Sequence, residues 1–413
     1  MSHSARNINS FLRLVEDSYV PALSWKKHFD GQPLLVKKGK GAYLWDEEKK
    51  VYVDFYLSGG RQLFGHGDKE LNQCLKRELK RGNLRSYLNR LERDVALEIL
   101  RYFPQGERLL IFSSRSSALH FAAYLARELT ARQVVVVFSG CRKNTLPPPV
   151  VELPLDDEEA LTQHFFEKGE HTALVLIEPL PTGAGILRQR PEFLQKIRKL
   201  SLESGALLLF DESLTAFRGE SNSLASSLYL DWDFLLLGES ISCAFPFAAL
   251  VSKKEHLPTV PNFFSWEDEV PSQVTLLAVL YSLRRLAQER ENNLLIKLTA
   301  ELEDQFIRKI APIFAHRGLK LTVETWPGMF YFRFGLETQE SEVRSPSQTW
   351  KSHFLWYAWM QRQMVKKGVY LSPISREPSF LSLAHQEKDI FFLIENLRKV
   401  SIKFLDRIKE KTP

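Results

Sequence analysis

Cysteine is scarce in this chain: three residues in 413, Cys74, Cys141 and Cys243, each far from the others. That spacing excludes a disulfide framework and a thiolate metal site, and it fits a reducing compartment. Long apolar runs are missing too. The longest, such as 206–210 and 234–237, have the length of a core strand and fall far short of the roughly 20 residues that cross a bilayer. The polar opening stretch, Met1-Ser2-His3-Ser4-Ala5-Arg6, lacks the apolar segment of a secretory signal, so a cytoplasmic protein is expected. Internal repeats, low-complexity segments and zinc-finger, Walker or RNA-binding signatures are all wanting, and no metal site is expected.

What is present is ordinary globular material. Apolar residues make up 44% and charged residues 26%, and the length suits two or three domains with proper cores. Basic residues outnumber acidic ones by 56 to 50, a net charge of +6 that is mixed along the chain rather than segregated. The densest basic stretch, Lys76-Arg77-Glu78-Leu79-Lys80-Arg81, sits among Leu71, Leu75 and Leu79 at helical spacing. It reads as the solvated face of a helix rather than a phosphate-binding patch, so neither a nucleic-acid nor a membrane partner is expected.

Strand-like runs alternate with amphipathic helices through the middle of the chain. The runs 109–112, 134–138, 173–177, 206–210, 234–237 and 248–251 are short and apolar on both faces. Between them lie helical patterns over 117–130, with Ala118, Phe121, Ala122, Leu125, Ala126 and Leu129 on one stripe, and over 191–203. This is the pattern of an α/β protein with a mostly parallel sheet covered by helices. Towards the ends, 41–46 and 51–55 flank a charged turn and predict a hairpin, and a helix is expected from about 272 to 310. The division that follows is a large domain over 57–290 and a smaller α+β domain assembled from 1–56 and 291–413.

Ligands of open parallel sheets bind beyond the carboxyl ends of the strands. Glu178, the pair Asp211-Glu212, and Glu239 all fall at such ends, as does the serine-rich stretch 113–117 at the start of a helix. Each has a plainer reading as a helix cap or surface carboxylate; together they point to a single cleft.

The segments Gly41-Ala42-Tyr43-Leu44-Trp45-Asp46, Val51-Tyr52-Val53-Asp54, Ile177-Glu178-Pro179, Leu209-Phe210-Asp211-Glu212 and Phe217-Arg218 resemble the class III, pyridoxal-phosphate-dependent aminotransferases. The stretch Lys367-Gly368-Val369-Tyr370-Leu371-Ser372-Pro373 is most similar to the glutamate-1-semialdehyde 2,1-aminomutase group of that family. The resemblance runs from about Val36 to the C-terminus. It implies a fold type I architecture and a homodimer, with a heterodimer of this chain and an active relative as the other arrangement.

The resemblance also locates the family's chemistry. The Schiff-base lysine belongs to a Gly-Lys…Pro segment matched here by Gly238 to Pro246, and its position holds Glu239, a carboxylate that cannot form an imine. The phosphate-cradle motif Ser-Gly-Thr-Glu-Ala aligns with Ser114-Arg115-Ser116-Ser117-Ala118, putting an arginine where a glycine would let backbone N–H groups approach. The ring-stacking motif aligns with Gly140-Cys141-Arg142-Lys143-Asn144, without its aromatic residue. A further phosphate segment aligns with residues 264–271, where Asp268 and Glu269 would repel an anion. Asp211, Glu178 and Arg218 remain as in the family.

The site expected from this pattern has no intact catalytic group. Glu239 stands at the lysine position, and a vestigial cofactor pocket is formed by Ser114, Arg115, Ser116, Arg142, Glu178 and Asp211. Two carboxylates, Glu239 and Asp211, in one cleft call for a base, and Arg142 or Arg115 is expected to pair with Glu239 and fill the cofactor's space. The reading is a pseudoenzyme with a scaffolding, regulatory or small-molecule-binding role and no covalent cofactor. The alternatives are an altered enzyme that holds pyridoxamine or pyridoxal phosphate non-covalently with Glu239 as base, and an aminotransferase that uses Lys143.

Overall fold

The computed structural model describes residues 34–82, 89–142, 146–257, 270–287, 289–336, 343–346 and 351–409. Its chain enters through an antiparallel meander, β1 (Val36–Lys40), β2 (Tyr43–Asp46) and β3 (Val51–Asp54), the last two forming the expected hairpin. Asp46 closes the turn, its Oδ1 accepting from Glu48 N at 3.0 Å and Lys50 N at 2.8 Å. Two helices follow, α1 (Lys69–Leu79) and α2 (Arg90–Tyr102). In α1, Leu71 is buried but Leu79 is exposed, so the basic residues of this helix face water beside it.

The middle of the chain builds a seven-stranded sheet. Its strands are β4 (Arg108–Phe112), β5 (Val134–Phe138), β6 (Val150–Leu153), β7 (Thr172–Ile177), β8 (Leu207–Asp211), β9 (Phe234–Leu237) and β10 (Ala248–Ser252), in the order β4-β10-β9-β8-β7-β5-β6. The neighbours from β9 through β6 pair in parallel, while β10 runs antiparallel to both β9 and β4. Every residue of β7 and β9 is buried, as strands covered on both faces require. One face, with Leu174, Leu176, Leu209 and Leu236, packs on α3 (Arg115–Thr130). The alternate residues, Val175, Ile177, Leu208 and Phe210, join the main core with α5 (Pro191–Ser204), which follows α4 (Glu158–Lys168). Strand β8 begins and ends one residue later than the apolar run predicts, because Asp211 stays in register with Leu236 of β9.

The single helix expected from 272 to 310 is two helices, α6 (Gln273–Leu286) and α7 (Glu289–Lys309). The two serve different partners: α6 packs on α1 and α2, whereas α7 packs on the last helix, α9 (Glu387–Lys409). Beyond α7 come β11 (Leu319–Trp326), β12 (Met329–Leu336), α8 (Lys351–Lys366), β13 (Val369–Tyr370) and β14 (Ser379–Phe380). Strands β11, β12 and β14 form a three-stranded sheet, while β13 returns to the meander and pairs in parallel with β3, Val369 opposite Val53. Residues from both ends of the chain therefore share one small sheet. Among the described residues no helix is long and apolar enough to cross a membrane, and no cluster of His, Cys, Asp and Glu could hold a metal ion.

Candidate functional site

Strands β7, β8 and β9 lie side by side and end together, which brings three carboxylates to one place. Glu178 follows β7, Asp211 is the last residue of β8, and Glu239 opens a single turn of 3-10 helix, Glu239–Ile241, after β9. Gly238 permits that turn, since a Cβ there would come within 2.7 Å of the Phe247 carbonyl oxygen. Glu212, adjacent to Asp211, points elsewhere. Its carboxylate accepts from Leu224 N at 2.7 Å and Ala225 N at 2.8 Å and caps the short helix Leu224–Ser227. Burial pushes the Glu212 pKa up to about 7 against those hydrogen bonds.

Arg142, on the loop after β5, connects all three acids. Its backbone N–H donates to Glu178 Oε1 at 2.6 Å and its Nε reaches the same oxygen at 3.3 Å. Its Nη1 donates to Glu239 Oε2, and its Nη2 donates to Ser213 Oγ at 2.7 Å and lies 3.5 Å from Asp211 Oδ1. The loop is fixed by a close approach of backbones: Gly183 N donates to Gly140 O at 2.9 Å, and a Cβ on Gly183 would stand 2.5 Å from Cys141 O.

Arg115, the first residue of α3, folds across the sheet end rather than out to solvent. Its Nε donates to Asp211 Oδ2 at 2.6 Å, its Nη2 pairs with the same oxygen, and Nη2 stands 3.7 Å from Glu178. Ser213 completes the shell of Asp211, donating to Oδ1 from both its amide, at 3.1 Å, and its hydroxyl, at 2.6 Å. Thr182 holds the other oxygen of Glu178 through its hydroxyl at 2.7 Å.

The second partner of Glu239 is Arg61, whose Nη2 donates to Oε1. Sequence reasoning missed it, because it comes from an irregular turn 178 residues away. Residues 57 to 60 all adopt positive φ, from 49° at Leu57 to 83° at Gly60, and this left-handed run aims Arg61 at the sheet end. Arg218 braces the turn from beneath. It is fully buried, donates from Nε to Leu214 O at 2.8 Å and from Nη2 to Gly60 O, and lies over the Phe380 ring at 5.3 Å.

Three guanidinium groups thus face three carboxylates in a lattice that is buried except at Arg61, whose side chain is 41% exposed. Burial alone would raise the pKa of Glu239, but Arg142, Arg61 and Arg115 outweigh it and hold the group below the ordinary glutamate value. Asp211 is likewise held low against burial by Arg115 and Arg142. Burial and Glu178 push the Cys141 thiol well above the ordinary cysteine value. Half-buried Glu377 also borders the group; burial raises its pKa, with Arg142 opposing and Glu239 adding to the rise.

The expected pocket residues are brought together with one exception. Ser114 caps α3, its Oγ accepting from Ser117 N at 3.1 Å, and it lines a cavity of about 420 Å³ with Arg61, Arg115, Glu239 and Ser242. Ser116 is exposed and does not line that cavity, since two steps along a helix from the cap turn its side chain away. Of the two arginines expected to meet Glu239, Arg142 makes the contact and Arg115 is spent on Asp211. Lys143, Asn144, Asp268 and Glu269 lie outside the described residues.

Comparison with known proteins agrees with this architecture. The family model of class III aminotransferases matches residues 26–143. The glutamate-1-semialdehyde 2,1-aminomutase of Aeropyrum pernix is 28% identical over 395 residues, covering 89% of this chain and 90% of that protein. The Desulfitobacterium hafniense aminomutase is also 28% identical, over 401 residues, with 89% and 91% covered. Among solved structures, a β-phenylalanine aminotransferase from Variovorax paradoxus superposes with a TM-score of 0.81 at 24% identity, covering 96% of this chain and 93% of that one. A glutamate-1-semialdehyde aminomutase from Pseudomonas aeruginosa gives 0.82 at 20% identity, covering 94% and 92%.

Proposed function

We propose that this chain, which has the class III aminotransferase fold and is similar along most of its length to glutamate-1-semialdehyde 2,1-aminomutases, is a pseudoenzyme of that fold. Its role is scaffolding, regulatory or small-molecule binding rather than transamination. The observation that carries this reading is Glu239, bound on both carboxylate oxygens by Arg142 and Arg61 at the position where the family pattern has its Schiff-base lysine.

The residues present do not fit a pyridoxal-type cofactor. A carboxylate cannot condense with an aldehyde. Asp211, the group that would face a pyridinium nitrogen, already accepts from Arg115 and Ser213 and is approached by Arg142. Admitting the ring would require three guanidinium groups to leave buried partners. A non-covalent pyridoxamine phosphate enzyme with Glu239 as base is disfavoured by the same lattice, because a carboxylate held below its ordinary pKa by Arg142, Arg61 and Arg115 is a weak base.

The pattern of the family supports a homodimer, and a heterodimer with an active relative is the other assembly to be tested. The solvated setting of the basic helix α1 supports neither a nucleic-acid nor a membrane partner, and cysteine usage favours the cytoplasm.

The test is incubation of the full chain with pyridoxal phosphate, borohydride reduction and peptide mapping. No adduct at the sheet end and no saturable binding there are expected. A reduced adduct on Lys143 would overturn the reading, and tight binding without an adduct would favour the non-covalent enzyme. The Glu239→Lys variant is expected to gain no internal-aldimine absorbance, because Arg115 and Arg142 still fill the site.

A further inference from the structure

The small sheet carries a second cavity, of about 540 Å³, whose lining shares no residue with the guanidinium lattice. Its floor is apolar, made by Tyr43 and the β3 residues Val51 and Val53, with Phe392 of α9 as one wall. Val51 and Phe392 are 46% and 41% exposed, so the cavity presents bare hydrocarbon to water.

Its rim is cationic. Lys366 and Lys367 come from the end of α8, Lys388 from the first turn of α9, and Lys50 from the hairpin. All four are exposed. Lys50 is fixed in place, donating to Val365 O and Lys366 O at 3.2 Å each and lying over the Tyr52 ring at 4.9 Å. Burial draws its pKa below the ordinary lysine value, against Asp46 and Glu48. The one acid among the described lining residues, Asp389, is already occupied: Tyr43 Oη donates to its Oδ1 at 2.6 Å and Gln386 N to its Oδ2 at 2.9 Å.

From this combination we infer that the cavity is a binding site for a small amphipathic carboxylate, a flat apolar body bearing one acid group. The hydrocarbon floor accepts the body, and the ring of ammonium groups receives the carboxylate. The volume is that of an ordinary small-molecule pocket. Lysines act as mobile point charges, unlike the directional fork of an arginine, so selectivity rests on charge and apolar area rather than on bidentate geometry. A free phosphate would leave the floor bare, and a neutral aromatic would leave the exposed ammonium groups of Lys366, Lys367 and Lys388 without an anion. This inference does not depend on the fate of the sheet-end site.

The experiment is titration of the full chain with 2-naphthoate, 2-naphthamide and inorganic phosphate, followed calorimetrically and by ligand-observed NMR. Saturable binding of one naphthoate is expected, at least about tenfold tighter than naphthamide or phosphate, as one charge-assisted contact supplies. Lys366→Gln/Lys388→Gln and, separately, Phe392→Ala are each expected to weaken naphthoate about tenfold while the thermal transition stays in place. Absence of naphthoate binding, equal affinity for naphthamide or for phosphate, or indifference to both variants would overturn the site.

Discussion

Two charged regions of this molecule handle their charge in opposite ways. At the carboxyl ends of β7, β8 and β9, Arg61, Arg115 and Arg142 are matched by Glu178, Asp211 and Glu239, and all of these side chains except Arg61 are largely buried. Around the hairpin, four lysines line a cavity with one engaged aspartate, and they stand over exposed apolar side chains. A buried guanidinium–carboxylate lattice fixes a conformation and leaves little capacity for a ligand, because any anion entering must displace an internal one. An exposed ammonium ring contributes little to the fold and keeps its capacity for an external anion. Charge placement therefore separates a site that has been filled by the chain from one left open.

The strongest way to break the comparison is to remove the hub of the lattice. Arg142→Met leaves Glu239 with Arg61 alone and removes the guanidinium contacts to Glu178 and Asp211, and it is expected to lower stability by about 3 kcal/mol, the low end of the range for a broken buried ion pair. Denaturant titration at neutral pH measures it. Adding Glu239→Leu removes the carboxylate that has lost one of its two guanidinium partners and is expected to recover part of the loss, since an apolar pair can replace an ion pair at similar volume. A loss under about 1 kcal/mol for Arg142→Met would mean that the lattice is no more structural than a surface ion pair.

The next effect is a pH dependence with two opposed parts. Asp211 and Glu239 titrate below their ordinary values in the folded chain, so their contribution is present above pH ~4 and is lost as pH falls below it. Glu212 is the reverse. Its folded pKa is raised to about 7, so it stabilises most below its ordinary 4.5 and loses that contribution as pH climbs towards 7. Glu212→Gln, which keeps an acceptor for Leu224 and Ala225, is expected to flatten the denaturation midpoint between those values. The difference from the parent chain should amount to about 3 kcal/mol. Parallel curves for parent and variant across that interval would show that Glu212 does not titrate there.

Much of the lattice was legible in the sequence, and the reason is topological. Apolar runs covered on both faces announce parallel strands, and an acid at the end of each run must then lie at the sheet's carboxyl edge, which fixes Glu178, Asp211 and Glu239. Arg115 and Arg142 followed because each departs from a family pattern at a known place. Arg61 did not, since its position depends on four left-handed residues, two of them not glycine, and no periodicity encodes such a turn. Glu212 carries the same strand-end signal as Asp211 yet points away, because alternate residues leave a strand on opposite sides. The lysine cavity was invisible for a further reason: Lys50, Lys366 and Lys388 belong to three segments that meet only when β13 pairs with β3. The break between α6 and α7 has the same origin, a change of packing partner with no breaker residue to mark it.

The smallest effect sharpens the contrast most. Lys366→Gln/Lys388→Gln alters two exposed side chains that make no ion pair among the described residues, so its unfolding free energy should stay within about 0.5 kcal/mol of the parent chain. Removing mutually repelling charges can even raise it slightly at low salt, and that gain should vanish as ionic strength increases. Arg142→Met should behave oppositely, with a large loss that salt barely changes, because its partners are screened by protein rather than by ions. Denaturant titrations of both variants at low and high salt distinguish the two regimes. A salt-independent loss of more than 1 kcal/mol in the lysine variant would assign those side chains to the fold and remove the basis for an open anion site.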